Sequence, residues 1–485
     1  MLQKLTLPRV TAIILFALIF AMATRIPLDT DTWWHLRAGE TIIETRAVPM
    51  TDPFSHTKYG EAWIDHSWGS QIVLALAWRV GGDAGLAIYT ALLATAGMGF
   101  VYLTCAGNVY VRAFALVIGA AAAAVFWSAR PQMMSFLLGA VVLYLLHRHK
   151  REGKDRLLLI PLVMLLWANL HGGFAIGFIL LFGSLAGEVI GNLLHKGEPE
   201  VVNWAGVRKL ALVTALSLAA IAVNPYGAQM LGYPFRTVGI GALQDFIQEW
   251  ASPNFHERQT WPFVFLLLGV YAAAGLSRRR LDWTDLLLTA GMAFLALTAG
   301  RNIAVYAMVA APVLTRHVDA ILEERGWQVR PQTRARGAMA WLNLALLILI
   351  LLGAGLKVIG ALLPRSVAEA KADYLPVRAA AWLNETRPEG KMFNSYNWGG
   401  YLMFAAPDFP VYVDGRTDLY DDEFLREFLS AWRGFPGWED TLNRYDIGFV
   451  VVESDGLMAN AMRQDDDWRV AYDDEQAVVF VRAGA

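Results

Sequence analysis

The sequence predicts a mainly α-helical fold: a polytopic bundle of membrane helices followed by a small α/β domain. Of the 485 residues, 56% are hydrophobic and only 17% are charged, whereas a soluble domain usually carries about a quarter charged residues. Apolar segments recur through residues 1–360, while residues 361–485 are charged and contain no apolar segment long enough to cross a membrane. The chain therefore divides into a membrane domain (1–360) and a second domain (361–485).

Eleven apolar segments approach or reach the roughly 17–25 residues that cross the hydrocarbon core as a helix. They lie near residues 10–25, 84–106, 112–129, 132–147, 157–170, 173–194, 208–224, 261–276, 283–300, 302–316 and 338–360. The first segment could instead belong to a signal peptide, because Ala21 and Ala23 resemble a cleavage site. The many similar segments that follow favour a membrane span.

The loops between these segments alternate in charge. Residues 147–156, 195–209, 277–280 and 315–336 hold most of the lysine and arginine, together with the N-terminus. The positive-inside rule places these loops in the cytoplasm. We therefore expect a multi-pass protein of a bacterial-type inner (plasma) membrane, with its N-terminus inside and residues 361–485 outside.

The first outer loop, residues 26–83, is long and begins with the acidic and aromatic stretch DTDTWWHLRAGE (29–40). Residues 66–82 predict an amphipathic helix along the membrane surface, since Trp68, Ile72, Leu76 and Val80 recur at helical spacing. The tryptophans fit the usual aromatic belt of membrane proteins. That belt does not explain the aspartates of this loop.

Polar and ionisable residues gather at the predicted outer ends of the helices. A snorkelling arginine, a helix stop or an interfacial histidine would explain each one alone, but ionisable groups at this depth usually face a bundle interior or a water-filled cavity. Their shared side of the membrane predicts one outer cavity. The candidates are Asp29, Asp31, His35, Asp65, His66, Arg130, Asn169, His171, Asn224, Tyr226, Arg301 and Asn302.

Strands and helices alternate in the C-terminal domain, which predicts an α/β fold. The predicted strands are 391–396, 409–416, 447–454 and 476–483, and the predicted helices are 421–432 and 439–445. Two motifs, YNWGGYL (396–402) and VDGRTDLY (413–420), combine aromatics with glycine or aspartate. Such motifs can contact a sugar or an acceptor. They are equally common in tight turns with packed aromatic rings.

An acidic motif after the first span, a long first outer loop, about eleven spans and an outer α/β domain together resemble the GT-C glycosyltransferases. These include oligosaccharyltransferases, protein O-mannosyltransferases and the aminoarabinose transferase of lipid A. The resemblance implies transfer of a sugar from a polyprenyl-phosphate-linked donor to a glycan, lipid or protein acceptor at the periplasmic or exterior face. Asp29 and Asp31 match the position of the family's catalytic acidic motif, and Asp65 is a second candidate. Gly399 departs from the aspartate expected after Trp398, which counts against a peptide acceptor.

Such chemistry needs a base for the acceptor and cations for the departing phosphate. An aspartate can accept the hydroxyl proton, and Arg130 and Arg301 can hold phosphate through charge-assisted hydrogen bonds. The remaining polar candidates would bind substrate. Alternatively, Asp29 and Asp31 could bind Mg²⁺ or Mn²⁺ through oxygen ligands, with His35 or His66 completing a manganese site.

Other functions remain open at this point. We expect membrane lipids as partners of such a chain, whereas the net charge of −2 gives no sign of nucleic-acid binding. Another lipid-linked group transferase, a transporter or flippase, and an envelope scaffold are the alternatives. Transporters often contain repeated halves with sites at the midplane of the bilayer, and neither feature is visible in this sequence.

Overall fold

The computed structural model describes residues 2–198, 200–241, 248–327, 334–335 and 337–484. Helices occupy most of the first 363 residues. They are α1 (Leu7–Ala23), α2 (Asp31–Thr45), α3 (Trp68–Thr104), α4 (Val109–Ala123), α5 (Gln132–Glu152), α6 (Ile160–Leu170), α7 (Ala175–Leu194), α8 (Trp204–Ile221), α9 (Gln229–Val238), α10 (Trp261–Leu276), α11 (Trp283–Thr298), α12 (Ile303–Glu324) and α13 (Ala338–Leu362). Each of the eleven predicted apolar segments overlaps one of these helices, and the number of membrane crossings stays a prediction.

The helices form a membrane bundle. Among the described residues, seven helices are long and apolar enough to cross a membrane, and three shorter apolar helices accompany them. At the centre lies α12, whose residues 303–317 are all buried. At the edge lies α13, where Leu349, Leu352 and Leu356 are exposed as expected for lipid contact. The chain is a multi-pass membrane protein; of the predicted loop 315–336, residues 328–333 and 336 lie outside the described residues.

The first loop contains α2 and the beginning of α3. The backbone of α3 leaves helical geometry at Gly82 (φ 53°, ψ −134°), so the predicted surface helix is a separate helical piece that starts at Trp68. Gln71 and Leu74 are buried against the protein, whereas Leu76 and Val80 remain exposed. This exposed apolar stripe suits a helix that rests on the membrane surface.

The C-terminal domain contains α14 (Pro364–Tyr374), α15 (Val377–Thr386), β1 (Lys391–Asn394), α16 (Tyr396–Ala405), α17 (Asp422–Trp432), α18 (Trp438–Arg444), β2 (Ile447–Glu453), α19 (Leu457–Met462), β3 (Trp468–Asp473) and β4 (Ala477–Arg482). Its sheet has the order β1-β2-β4-β3. β1 pairs with β2 in parallel, and β4 is antiparallel to both β2 and β3.

Two strand predictions need correction. Residues 409–416 form no strand, since Val411 makes only an isolated bridge to Ser55 of the first loop. The backbone of Val411 pairs with the loop, while Phe409 and Tyr412 pack on Phe449 of β2 and Phe393 of β1. The sequence analysis also missed β3, because exposed polar residues interrupt its apolar pattern at the edge of the sheet.

A buried ion triad joins the first loop to the C-terminal domain. The Arg416 guanidinium donates to Asp52 in the loop and, at 2.7 and 2.9 Å, to the two carboxylate oxygens of Asp414. These three side chains are fully buried, and the Tyr420 hydroxyl donates to Asp414 at 3.0 Å. The loop and the domain thus pack as one layer over one end of the bundle.

Candidate active site

The acidic motif lies at the start of α2, beneath the C-terminal domain. The Asp31 backbone N–H donates to Asp29 Oδ1 at 3.1 Å, which fixes the two carboxylates relative to each other. An aspartate in the first turn of a helix is favoured by the helix dipole. Trp33 and Trp34, which follow, are buried. They anchor the start of the helix, so the carboxylates are held on a rigid element.

Arg130 is the centre of the charge cluster. Its guanidinium lies 3.3 Å from Asp29 Oδ2, 2.9 Å from Asp31 Oδ2 and 3.4 Å from Glu249 Oε2. Glu249 also lies 3.9 Å from Arg301 Nη1. One connected set of charges therefore links the first loop, the turn before α5 and the turn before α12.

Glu249 is a site residue that the sequence analysis missed. Its segment, EWASPNF (249–255), belongs to the predicted outer ends of the helices, but nothing in its spacing distinguishes this glutamate. The neighbouring Trp250 ring lies 4.2 Å from the Arg301 guanidinium carbon in a cation–π contact. Burial tends to raise the pKa of Glu249, but the two arginines outweigh it and lower the pKa, so this residue is a fixed negative charge between two cations.

The two glycine-containing motifs pack directly on the acidic motif. A Cβ at Gly415 would lie 1.9 Å from Asp31 Oδ1, and one at Gly400 would lie 2.8 Å from the Thr30 carbonyl oxygen. A Cβ at Gly399 would lie 2.0 Å from the Val413 carbonyl oxygen. The close approach of backbone to backbone explains why glycine, and not aspartate, follows Trp398.

Asp65 and His35 belong to a second hydrogen-bonded network. Gln71 Nε2 donates to Asp65 Oδ1 at 2.7 Å and lies 3.3 Å from His35 Nδ1. Asp65 is fully buried, and its Oδ2 has no hydrogen-bond partner among the described residues. Burial raises the pKa of Asp65 to about 7. The Asp65 backbone N–H donates to the Tyr226 hydroxyl at 2.9 Å, and this hydroxyl donates to the Pro49 carbonyl.

Two histidines lie together next to α9. His66 Nδ1 is 2.6 Å from the Tyr233 hydroxyl, and the two rings stack. The His66 and His171 rings lie 5.6 Å apart. Burial lowers the pKa of His66 to about 3, so this imidazole is neutral at physiological pH.

His171 is held in one tautomer by its neighbours. Its Nδ1 accepts the Gly173 backbone N–H at 3.1 Å and lies 2.6 Å from Ser135 Oγ. The Ser135 hydroxyl in turn accepts the Trp167 indole N–H at 2.7 Å. We infer that the proton of His171 resides on Nε2, which is then available as a donor.

Asp418 is a second residue that the sequence analysis missed, although it lies in the VDGRTDLY motif. Burial raises the pKa of Asp418 to about 6, and the Tyr233 hydroxyl and Arg416 oppose the shift. The electrostatic effect of Asp418 also extends to Asp65. Asp418 thus brings the C-terminal domain into the same polar region as the first loop.

Three predicted substrate-binding asparagines instead bond the backbone. Asn169 Nδ2 donates to the Leu165 and Val223 carbonyls, Asn224 Nδ2 to the Ile221 and Gly227 carbonyls, and Asn302 Nδ2 to the Leu295 carbonyl. These bonds close helix ends and turns around the site. The local structure accounts for the three amides. Their role in substrate binding stays a prediction.

No protein-family model and no curated protein matches the chain, but solved structures match it over 98% of its length. One is the archaeal oligosaccharyltransferase AglB from Archaeoglobus fulgidus in complex with an inhibitory peptide and a dolichol-phosphate (12% identity, TM-score 0.58, 74% of AglB covered). Another is ArnT from Cupriavidus metallidurans bound to undecaprenyl phosphate (14% identity, TM-score 0.54, 98% of ArnT covered). Both are GT-C membrane glycosyltransferases. The chain has the GT-C fold. The resemblance predicted from the sequence is confirmed at the level of fold.

A metal ion has been seen in one protein with this GT-C fold, an AglB structure in complex with zinc and sulfate (13% identity, TM-score 0.54, 98% of this chain and 73% of AglB covered). In the part of this chain that the structure describes, no group of three or more His, Cys, Asp or Glu side chains could hold a metal ion. Asp29 and Asp31 each direct an oxygen to Arg130. The guanidinium supplies the positive charge between Asp29 and Asp31 at the place where the predicted Mg²⁺ or Mn²⁺ would bind, so use of either metal by this chain stays a prediction.

Proposed function

We propose that this protein is a membrane glycosyltransferase that moves a sugar from a polyprenyl-phosphate-linked donor to an acceptor at the outer face of the membrane. The observation that carries the proposal is the connected charge cluster at one mouth of a GT-C bundle. It combines carboxylates that can take a proton with arginines that can hold a phosphate, and α2 holds the acids in place.

Arg301 is the better candidate to hold the donor phosphate. Three carboxylates surround Arg130, so an approaching phosphate would meet more negative than positive charge there. Arg301 has one carboxylate at 3.9 Å, and its side chain is 33% exposed and makes no hydrogen bond to the described residues. The Trp250 ring fixes the guanidinium plane, which suits paired hydrogen bonds to phosphate oxygens.

Asp31 is the better candidate for the base. Asp29 uses one oxygen for the Asp31 N–H and the other for Arg130, whereas Asp31 Oδ1 lies over Gly415, at the junction of the loop and the C-terminal domain. Burial raises the pKa of Asp31 against the pull of Arg130, which suits a base that works near neutral pH.

The proposed reaction then follows from these roles. The acceptor hydroxyl gives its proton to Asp31, and its oxygen forms a bond to the anomeric carbon of the sugar. The bond between that carbon and the phosphate oxygen breaks, and the phosphate leaves with both electrons and the charge stabilised by Arg301. Arg130 and Glu249 position the acid and the second arginine, and no step passes through a metal.

Transfer is tested with the purified full chain in liposomes, radiolabelled polyprenyl-phosphate sugars and a fractionated envelope extract as acceptor. We expect label to move to one fraction with release of polyprenyl phosphate, and Asp31→Asn to abolish the movement. Donor that crosses the bilayer with its sugar still attached would indicate a flippase. A donor that neither transfers nor binds would contradict the proposal.

The proposed orientation has its own test. In a Cys105→Ala background, a cysteine at Ser454 in the C-terminal domain should react with an impermeant maleimide added outside the cell. A cysteine at Ser277, the first residue of the basic segment 277–280, should react only after permeabilisation. The reverse pattern would place the charge cluster on the cytoplasmic side and contradict an outer-face reaction.

A further inference from the structure

A groove opens on the side of the bundle, far from the candidate active site. It has a volume of about 410 Å³ and lies between α3, α5 and α6. Its walls are apolar, and they include Phe100, Val141, Leu145, Leu162 and Leu166. α5 begins near Arg130, and at 1.5 Å per residue its residue 148 lies about 27 Å further along the bundle. We call this feature the distal groove.

One end of the distal groove is cationic. Arg148 and Arg156 line it together with Tyr144. The Arg148 guanidinium lies over the Tyr144 ring, with its carbon 5.4 Å from the ring centroid, and its Nε is 2.8 Å from Glu152. These contacts hold Arg148 at the rim.

Arg156 adds a cation whose charge no described residue neutralises. It is exposed, and within the described residues it takes part in no ion pair. Glu152 pairs with both Arg148 and Lys154, the latter at 3.0 Å, and Asp155 pairs with Lys209. The rim therefore carries an excess of positive charge at the edge of an apolar groove.

We propose that the distal groove binds an anionic phospholipid, with an acyl chain against the apolar walls and the phosphate at Arg148 and Arg156. Leu162 and Leu166 are 63% and 49% exposed, so the groove is open toward the hydrocarbon region. Basic pockets between membrane helices at the cytoplasmic side are typical sites for anionic head groups. Two other occupants are disfavoured by charge. A second copy of this chain would bring the same arginines to the rim, and a zwitterionic lipid would bring a positively charged ammonium group toward them.

The test uses native mass spectrometry of the full chain in detergent, titrated with phosphatidylglycerol or with phosphatidylcholine of the same acyl chains. We expect tighter binding of phosphatidylglycerol. Arg156→Gln should weaken it about fivefold, the effect of one basic residue at an anionic lipid, and removing both arginines should bring its affinity to that of phosphatidylcholine. Arg280→Gln, an exposed arginine outside the groove, should change neither value.

The apolar walls are tested separately. Leu162→Trp should fill the groove and lower the bound phosphatidylglycerol, whereas Leu158→Trp, at an exposed neighbour that does not line it, should not. Equal affinity for both lipids, or equal effects of Arg156→Gln and Arg280→Gln, would overturn the proposal. Displacement of phosphatidylglycerol by an equal concentration of inorganic phosphate would also overturn it, because the acyl chain would then contribute no affinity. Since Arg156 has no described ion pair to lose, its variant should fold normally, which thermal unfolding would verify.

Discussion

Asp31 is the position where the smallest chemical change should have the largest effect on turnover. Asp31→Asn keeps the shape of the side chain, but the amide can neither accept the acceptor proton nor form an ion pair with Arg130 at 2.9 Å. Asp29→Asn should be milder. Both carboxylate oxygens of Asp29 already have partners: one accepts the Asp31 N–H, and the other pairs with Arg130.

The structure predicts a much larger loss of transfer rate for Asp31→Asn than for Asp29→Asn. Loss of a general base typically lowers the rate by about 10²–10⁴-fold, which corresponds to roughly 3–5 kcal/mol at about 1.4 kcal/mol per factor of ten. Asp29→Asn removes one partly exposed ion pair, since the Asp29 side chain is 22% exposed. Such a pair contributes about 0–1 kcal/mol, so a loss of about tenfold or less is expected.

The measurement is single-turnover transfer from a radiolabelled polyprenyl-phosphate sugar, with donor affinity measured separately by binding. Asp31→Asn should lower the transfer rate while donor affinity stays within a few fold, because Arg301 still holds the phosphate. Asp455→Asn, on the exposed surface of the C-terminal domain, is the matched control. A 100-fold loss in Asp29→Asn with activity retained in Asp31→Asn would reverse the two roles. Near-normal rates in both would refute the reasoning and make Asp65 the next candidate.

Three further predictions test the surroundings of this residue. Gly415→Ala should displace Asp31 and lower the transfer rate at least tenfold, since its Cβ would lie 1.9 Å from Asp31 Oδ1. Gly81→Ala, whose Cβ would meet nothing within 4 Å, should leave the rate unchanged. Equal rates for the two variants would contradict the packing of Gly415 on Asp31. Treatment with EDTA should leave the transfer rate unchanged because Arg130 supplies the charge between the acids, and recovery of a lost rate on adding Mn²⁺ would show a metal requirement. Burial raises the pKa of Asp65 from its ordinary value near 3.8 to about 7, so the folded state takes up a proton and stability should fall as pH rises from about 4 to 7. Asp65→Asn should remove that decline, at most roughly 1.4 kcal/mol per pKa unit, in thermal unfolding across this range; a parallel pH profile in the variant would contradict the assignment.

The sequence predicted the membrane part well because its signals are local. Apolar length locates each helix, and the prediction that the surface helix near residue 82 is separate from the following span agrees with the backbone break at Gly82. Several of the predicted side chains lie in one charge cluster, and one outer cavity lined by all of them stays a prediction. Asp31 and Arg301 are linked through Arg130 and Glu249 rather than placed on opposite surfaces.

The remaining features depend on tertiary contacts that no local pattern contains. Glu249 is identified only by its distance to Arg130 and Arg301. The run around Val411 has the composition of a strand, but its backbone makes only an isolated bridge to the distant first loop, so the strand prediction for 409–416 was wrong. The glycines at 399 and 415 are explained only once the Val413 carbonyl and the Asp31 carboxylate are known to lie against them.

The buried Arg416 triad has a consequence for how the protein can be divided. Residues 361–485 look like an autonomous domain in the sequence, yet a fragment cut at residue 361 would lose Asp52 and leave a buried guanidinium with one of its two acids. The buried Arg416 Nη1 would then lack its acceptor, an unsatisfied buried donor is destabilising, and the apolar surface around Val411 would lose its cover as well. Exchange of the C-terminal portion between related proteins should therefore succeed only when residues 26–83 are exchanged with it. We expect these two distant stretches of chain to change together, in evolution as in engineering.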